Sequence, residues 1–440
     1  MSLVKKFAKS FSYAFAAQIL SLLVSILFSI GFARLLPVQE FGLWQLFILY
    51  SSYIGFFHFG ICDGIYLKLG GRNYKTLHAA NTSQQFGFYA AIQLVVSLLI
   101  LGAAFFIQSP DKSSIIRLAA LFLLVGNLQI FLSFVLIATN RIKPYSISVM
   151  LEKVLIVLLF GVLYSQNAIT YSSLIWTYIA CKALSLLFLL GLMRDKLFTF
   201  SAFHIRNISI FKTYTISGII LMFSNIFSTL IIGNARFMIE HRFGLEAFSK
   251  VSFSISLVYI VVVLISQTSV VLFPMLRNMN AQKQAALFKK FNVGLSLILL
   301  VSFVIYYPLT YLIETYLHKY ADGIFYLGIL LPICIYDGKM QILFNTYFKT
   351  LKAQNRLLRI NLISLVLSLL LCFMAAYFFN SIFYVLIALL IAVAFRSIYA
   401  EYLISRYLKV RLQPLHILAL LGVSVIFIVF NYFRFGGGVV

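Results

Sequence analysis

Between Lys9 and Arg34 the chain reads FSYAFAAQILSLLVSILFSIGFA, Phe11 through Ala33, without one charged residue. A run of that length matches the roughly 20 apolar residues a helix needs to cross a hydrocarbon layer about 30 Å thick. Lys5, Lys6 and Lys9 precede it, and the turn Arg34–Leu35–Leu36–Pro37–Val38–Gln39–Glu40–Phe41–Gly42 separates it from a second apolar run beginning at Leu43. A basic flank before an apolar stretch is also the layout of a secretory signal peptide. This stretch is too long for that, no A-x-A-like site follows it, and the same pattern recurs down the chain.

Read outward from that segment, spans fall near residues 11–33, 43–66, 86–107, 115–138, 148–164 and 173–193. After the longest basic loop come 213–233, 247–273, 293–313, 323–348, 360–379 and 382–405, and a thirteenth lies near 415–433 behind Pro414. Hydrophobic residues make up 62% of the 440 and charged residues only 10%, where a soluble domain carries roughly a quarter. The expected architecture is an all-α polytopic membrane protein. Its parts are a six-helix bundle (1–195), a basic cytoplasmic linker (196–212), a second six-helix bundle (213–406) and an additional transmembrane segment (407–440).

The charges obey one rule. Of the 35 Lys and Arg, twenty-four fall in one set of alternate loops, eight in the opposite set and three inside spans. Cytoplasmic loops carry such an excess, so the N-terminus is expected inside, and the net +24 points to anionic lipid headgroups, not nucleic acid. The four cysteines, Cys62, Cys181, Cys334 and Cys372, all lie in spans without ligand spacing and read as small packing residues. No metal site or cofactor is expected. No Walker A loop, G-x-S-x-G, H-E-x-x-H or strand-borne G-x-G-x-x-G occurs, so ATP bound by this chain does not power it and enzyme chemistry has no anchor.

The chain also repeats. The turn through Pro37 to Gly42 has a counterpart at Phe243–Gly244–Leu245–Glu246–Ala247–Phe248, and Ala138–Thr139–Asn140–Arg141 has one at Ala353–Gln354–Asn355–Arg356. An even number of spans separates equivalent points, so the halves are expected as parallel repeats with a cavity between two bundles that rock between inward-open and outward-open states.

Gly31–Phe32–Ala33–Arg34–Leu35–Leu36–Pro37 followed by Glu40–Phe41–Gly42–Leu43–Trp44 resembles the A-R-x-L-x-x-x-x-F/Y-G turn of the Wzx-type O-antigen flippases. That family shares a superfamily with multidrug and toxin extrusion (MATE) transporters and lipid II flippases. Arg236–Phe237–Met238–Ile239 with Phe243–Gly244–Leu245–Glu246–Ala247, and Val271–Leu272–Phe273–Pro274–Met275–Leu276, resemble two further segments of that family. One departure is Ala235, where an acid often precedes the arginine. The resemblance implies a bacterial inner-membrane flippase for an undecaprenyl-pyrophosphate-linked oligosaccharide. Its partners would be that lipid-linked oligosaccharide, membrane lipids, and a polysaccharide polymerase with its chain-length machinery. A MATE-like cation-coupled exporter of small molecules and a membrane polysaccharide polymerase are the alternatives.

An ionisable side chain at the bilayer centre costs on the order of 2.5–3.5 kcal/mol unless it meets water or a partner, so charges inside spans mark function. Lys182, Lys339 and Arg396 are the candidate lining of a cationic cavity for pyrophosphate, against the alternative that Lys182 pairs with Asp337 in a dry interior. Asp337 and Lys339, two apart on a helix, do not share a face. Arg34 and Arg236, at the outer ends of the first span of each half, suit bidentate grip on phosphate or anchoring at the interface. Lys68 and Arg72 suit a phosphate arriving from the cytoplasmic leaflet, or are ordinary basic residues of a cytoplasmic loop. Asp63 and Asp337 are candidates for H+ or Na+ coupling or for charge pairing. His58 reads as a packing histidine before a proton site, and Glu152 with Lys153 as an interfacial pair at the inner end of the fifth span. Gly60, Gly64 and Pro274 are candidate hinges.

Overall fold

The computed structural model describes residues 3–198, 205–266, 272, 276 and 279–435. Among them every regular element is helical. A hydrocarbon layer offers no water to backbone N–H and C=O groups, so a spanning segment must satisfy them internally, which a helix does. Eleven helices are long and apolar enough to cross, and Val38–His58 with Ile61–Leu69 form a twelfth crossing bent by 57°. One of the eleven, Ile208–Val263, has 56 residues. At 1.5 Å per residue that greatly exceeds a 30 Å layer. Gly244, at φ +84°, breaks it, so it supplies two crossings and the described residues make thirteen. The protein is a multi-pass, all-α membrane protein.

The helices used below are α1 (Leu3–Leu35), α2 (Val38–Ser51), α3 (Ile61–Leu69), α4 (Ala79–Ala104), α5 (Pro110–Ala138), α6 (Ile142–Ser165), α7 (Tyr171–Leu192) and α8 (Ile205–Ser266). They continue with α9 (Ala281–Leu300), α10 (Ser302–Tyr316), α11 (Asp322–Leu330), α12 (Ile333–Lys339), α13 (Asn345–Thr350), α14 (Gln354–Tyr377), α15 (Ile382–Leu408) and α16 (Pro414–Phe435). Local signals set their ends. Ser109 caps α5 ahead of Pro110, Thr170 and Ser173 form a reciprocal capping box on α7, and Asn280 caps α9.

The exits of α5 and α13 share one hydrogen-bond pattern. Thr139, Asn140 and Arg141 donate to the carbonyls of Val135, Ile137 and Leu136, while Leu351, Lys352 and Ala353 donate to those of Tyr347, Lys349 and Phe348. Asn140 (φ +59°) and Lys352 (φ +54°) hold the left-handed position. The internal correspondence at this exit therefore aligns Asn140 with Lys352, which shifts by three residues the register that pairs Ala138 with Ala353.

The chain divides into two compact units, Met1–Ser25 with Leu43–Ile226 and Ile26–Gly42 with Phe227–Val440; the divisions fall inside α1, α2 and α8 and outside the basic linker. In the first unit α5 is central, packed by α3, α4, α6 and α7 around Tyr89, Phe131, Leu132 and Leu136. In the second the crossing Asp322–Thr350 is the core, with 94% of its most apolar window buried. It is segmented by Pro332 and by a π-helical turn at Met340–Phe344. The thirteenth crossing, α16, belongs to this unit: Asn431 accepts from Tyr306 Oη at 2.5 Å and donates to the Phe325 carbonyl at 2.9 Å.

Candidate functional site

The first unit holds a three-charge cluster at the middle of its helices. Glu152 on α6 accepts from Lys182 Nζ on α7 at 3.0 Å and from its neighbour Lys153 Nζ at 3.1 Å. Gln129 on α5 adds a 3.3 Å donor to Glu152 and donates to Ser185 on α7 at 2.6 Å. One alternative and one expectation from the sequence are corrected here. Lys182 pairs with Glu152 and not with Asp337. Glu152 and Lys153 are not interfacial: Pro144 is tolerated in a first helical turn, so α6 starts at Ile142, ahead of the expected 148, and carries both to mid-helix. The carboxylate side chain is 5% exposed, whereas those of Lys153 and Lys182 are 17% and 18% exposed. One buried anion thus holds two cations that still reach the surface, leaving a net positive charge.

The buried charges of the second unit are balanced. Arg396 donates from Nη1 to Asp337 Oδ1 at 3.2 Å, from Nε to Asn361 at 2.9 Å and from Nη2 to Ser228 at 2.7 Å. Lys339 meets Glu401 at 2.8 Å, and Asn292 donates to the other oxygen of Glu401 at 2.8 Å. Asp337 and Lys339 both reach α15, at Arg396 and Glu401, and the π-helical turn beginning at Met340 comes directly after Lys339. All four charged groups are buried. In this conformation Lys339 and Arg396 are neutralised and do not line a cationic cavity. Glu401, Asn292 and Asn361 escaped the sequence reading, although an acid inside the apolar span 382–405 was a visible signal.

Asp63, Gly60, Gly64 and His58 come together at the bend of the second crossing. Phe59 (φ +49°) and Gly60 (φ +78°) turn the chain, and His58 Nε2 stands 3.7 Å from Asp63 Oδ2. A Cβ on Gly64 would strike the Tyr214 carbonyl, and one on Gly218 the Gly60 carbonyl, so α3 and the start of α8 touch backbone to backbone. Pro274 lies outside the described residues.

Lys68 and Arg72 line a cavity of about 310 Å³ with His78, Asn81, Gln85 and Tyr214, and no acid is in its wall. Between Arg72 and Thr76 in the chain, Tyr74 donates to Asp195 at 3.0 Å under the Arg141 guanidinium, 4.3 Å from the ring centroid. Burial, then the Asp195 carboxylate, push the Tyr74 phenol up to about 12. Arg34 is exposed, 5.9 Å from the Tyr316 ring. Arg236 bonds Ser252 at 3.1 Å and lies over Phe248. Neither sits in the clusters above.

No family model and no curated protein matches this chain. Solved structures do. A lipid II flippase, MurJ, in an inward closed conformation is 16% identical with a TM-score of 0.63, over 96% of this chain and 92% of its own. An inward-facing multidrug-resistance MATE transporter of the MOP superfamily is 12% identical with a TM-score of 0.60, over 89% and 99%. A Vibrio cholerae MATE transporter is 16% identical with a TM-score of 0.60, over 92% and 98%. The fold of this chain is therefore shared with those transporter and flippase structures.

Proposed function

We propose that the chain is a flippase of the bacterial inner membrane, N-terminus in the cytoplasm, that moves an undecaprenyl-pyrophosphate-linked oligosaccharide to the outer leaflet by alternating access. The observation that carries this reading is the net positive cluster at Glu152, Lys153 and Lys182. An ammonium group held at mid-membrane and open to the surface is tolerable only where water or an anion meets it. A pyrophosphate supplies that anion, and Lys68 with Arg72, in an acid-free cavity, supply its first contact. The tail needs no protein route, since it stays in lipid while the polar head crosses. Translocation makes and breaks no bond, so no catalytic residue or cofactor is called for.

Coupling to H+ or Na+ belongs to the proposal through the buried His58–Asp63 pair, which is also what a MATE-like cation-coupled exporter would use. Coupling to a polysaccharide polymerase and its chain-length machinery follows from the product, a single repeat unit on the outer leaflet. The cellular test is a strain lacking the protein. Lipid-linked single repeat units should accumulate on the cytoplasmic leaflet; normal delivery of single units with loss only of long chains would assign the polymerase role instead.

A further inference from the structure

A second basic pocket lies in the other unit and takes no part in the translocation route above. Arg356 and Arg359, in the first turns of α14, and Arg406, in the last turn of α15, line a pocket of about 480 Å³ with Tyr399, Leu403 and Tyr407. Its wall holds no acid, and among the described residues no carboxylate pairs with any of the three arginines. The Arg356 guanidinium lies 5.2 Å from the centroid of the Tyr407 ring. Three guanidinium groups brought together without a counter-charge repel one another, and an anion relieves that. Guanidinium forks match phosphate oxygens.

Two apolar strips start at this pocket. On α14, Arg359, Ile363, Val366, Leu370 and Phe373 follow at helical spacing, and the last four are exposed. On α15, Arg406, Tyr402, Tyr399, Phe395 and Ile391 do the same, with Tyr402, Phe395 and Ile391 exposed. Phe395 stacks on Tyr399, and Tyr399 on Tyr402. The two helices form one antiparallel hairpin, so both strips run from the basic end into the apolar part of the crossing.

We infer that this pocket binds the phosphate of an anionic glycerophospholipid from the cytoplasmic leaflet, with one acyl chain along each strip. Two strips leading from one phosphate site suit a lipid with two chains, whereas a polyprenyl diphosphate has one tail. Basic pockets between transmembrane helices on the cytoplasmic side hold lipid headgroups in this way. The site gives the protein a dependence on leaflet composition that is separate from its cargo.

The test is native mass spectrometry of the full-length detergent-solubilised protein titrated with phosphatidylglycerol, phosphatidylcholine, undecaprenyl diphosphate or inorganic pyrophosphate. Phosphatidylglycerol should be retained one per chain in preference to phosphatidylcholine, and Arg359→Gln with Arg406→Gln should weaken it about thirtyfold. Arg411→Gln, an exposed cation outside the pocket, should leave retention unchanged. If the double variant does not fold, Arg359→Lys with Arg406→Lys keeps the charge but loses the fork and should weaken retention less. The inference is overturned if phosphatidylglycerol and phosphatidylcholine are retained alike, if the pocket variants retain phosphatidylglycerol as well as Arg411→Gln does, or if undecaprenyl diphosphate or pyrophosphate alone is the species lost with these arginines. Those last results would leave the flippase reading untouched, since it rests on the first unit.

Discussion

Glu152→Gln should damage the fold far more than Lys182→Gln, although both remove one charge from the same cluster. Among the described residues Glu152 is the sole anion of the cluster, with ammonium groups at 3.0 and 3.1 Å. Neutralising it strands two cations beside each other, and removing one partner of a buried pair costs about 3–5 kcal/mol. Both lysine side chains keep some surface, 17% and 18%, so the lower end, about 3 kcal/mol, applies. Lys182→Gln leaves Glu152 paired with Lys153 and bonded by Gln129, which limits the loss to about 1 kcal/mol. Adding Lys182→Gln to Glu152→Gln should then recover part of the stability by removing one of the stranded cations. The assay is a double-mutant cycle on detergent-solubilised protein, read as the thermal midpoint of the monodisperse fraction, with glycan export in cells scored in parallel. Equal damage from the two single variants, or coupling of Lys182 to Asp337 instead of Glu152, would refute the assignment of Glu152 as the shared counter-charge.

In the second unit, Arg396→Gln should strand the buried Asp337 and lower the protein level, at a cost of about 3–5 kcal/mol, and Asp337→Asn should restore it; failure of the rescue in membrane abundance would dissolve the pair. Gly64→Ala should nearly abolish folded protein because its Cβ meets the Tyr214 backbone, while Gly161→Ala, with open space around it, should be silent in the same abundance assay. Lys68→Gln with Arg72→Gln should keep normal abundance, both side chains being exposed, yet reduce export at least severalfold; unchanged export would remove the cavity from the proposed route.

The crossings were legible because insertion is decided locally: an apolar run of sufficient length is a helix whatever it later packs against. Thus the bent second crossing, the break at Gly244 and the helix behind Pro414 all stand where apolar runs and turn residues put them. The pairing of charges was not legible in the same way. Lys182 finds Glu152 through the packing of α6 on α7, thirty residues apart in sequence, and nothing in a run of Leu and Ile states which faces meet. The misreading of Glu152 had a local cause, the early helix start at Ile142. At Lys352 the left-handed residue is a lysine, where the first half uses asparagine, so similarity of letters pointed three residues away from similarity of backbone. The clash-tight approach of Gly64 and Gly218 was half visible, since Gly60 and Gly64 stood out while Gly218 looked like an ordinary small residue in a long helix.

The proposed transport step is that this chain alone carries a lipid-linked anionic headgroup across the membrane. Purified protein in liposomes, with a fluorescently tagged undecaprenyl-pyrophosphate oligosaccharide in one leaflet and a membrane-impermeant quencher outside, measures that step directly. The prediction is protein-dependent exchange between leaflets that falls sharply in the Lys182→Gln variant, which keeps Glu152 paired with Lys153, while a tagged neutral glycolipid fails to exchange. No exchange above protein-free liposomes, with the same preparation moving small organic cations, would contradict it.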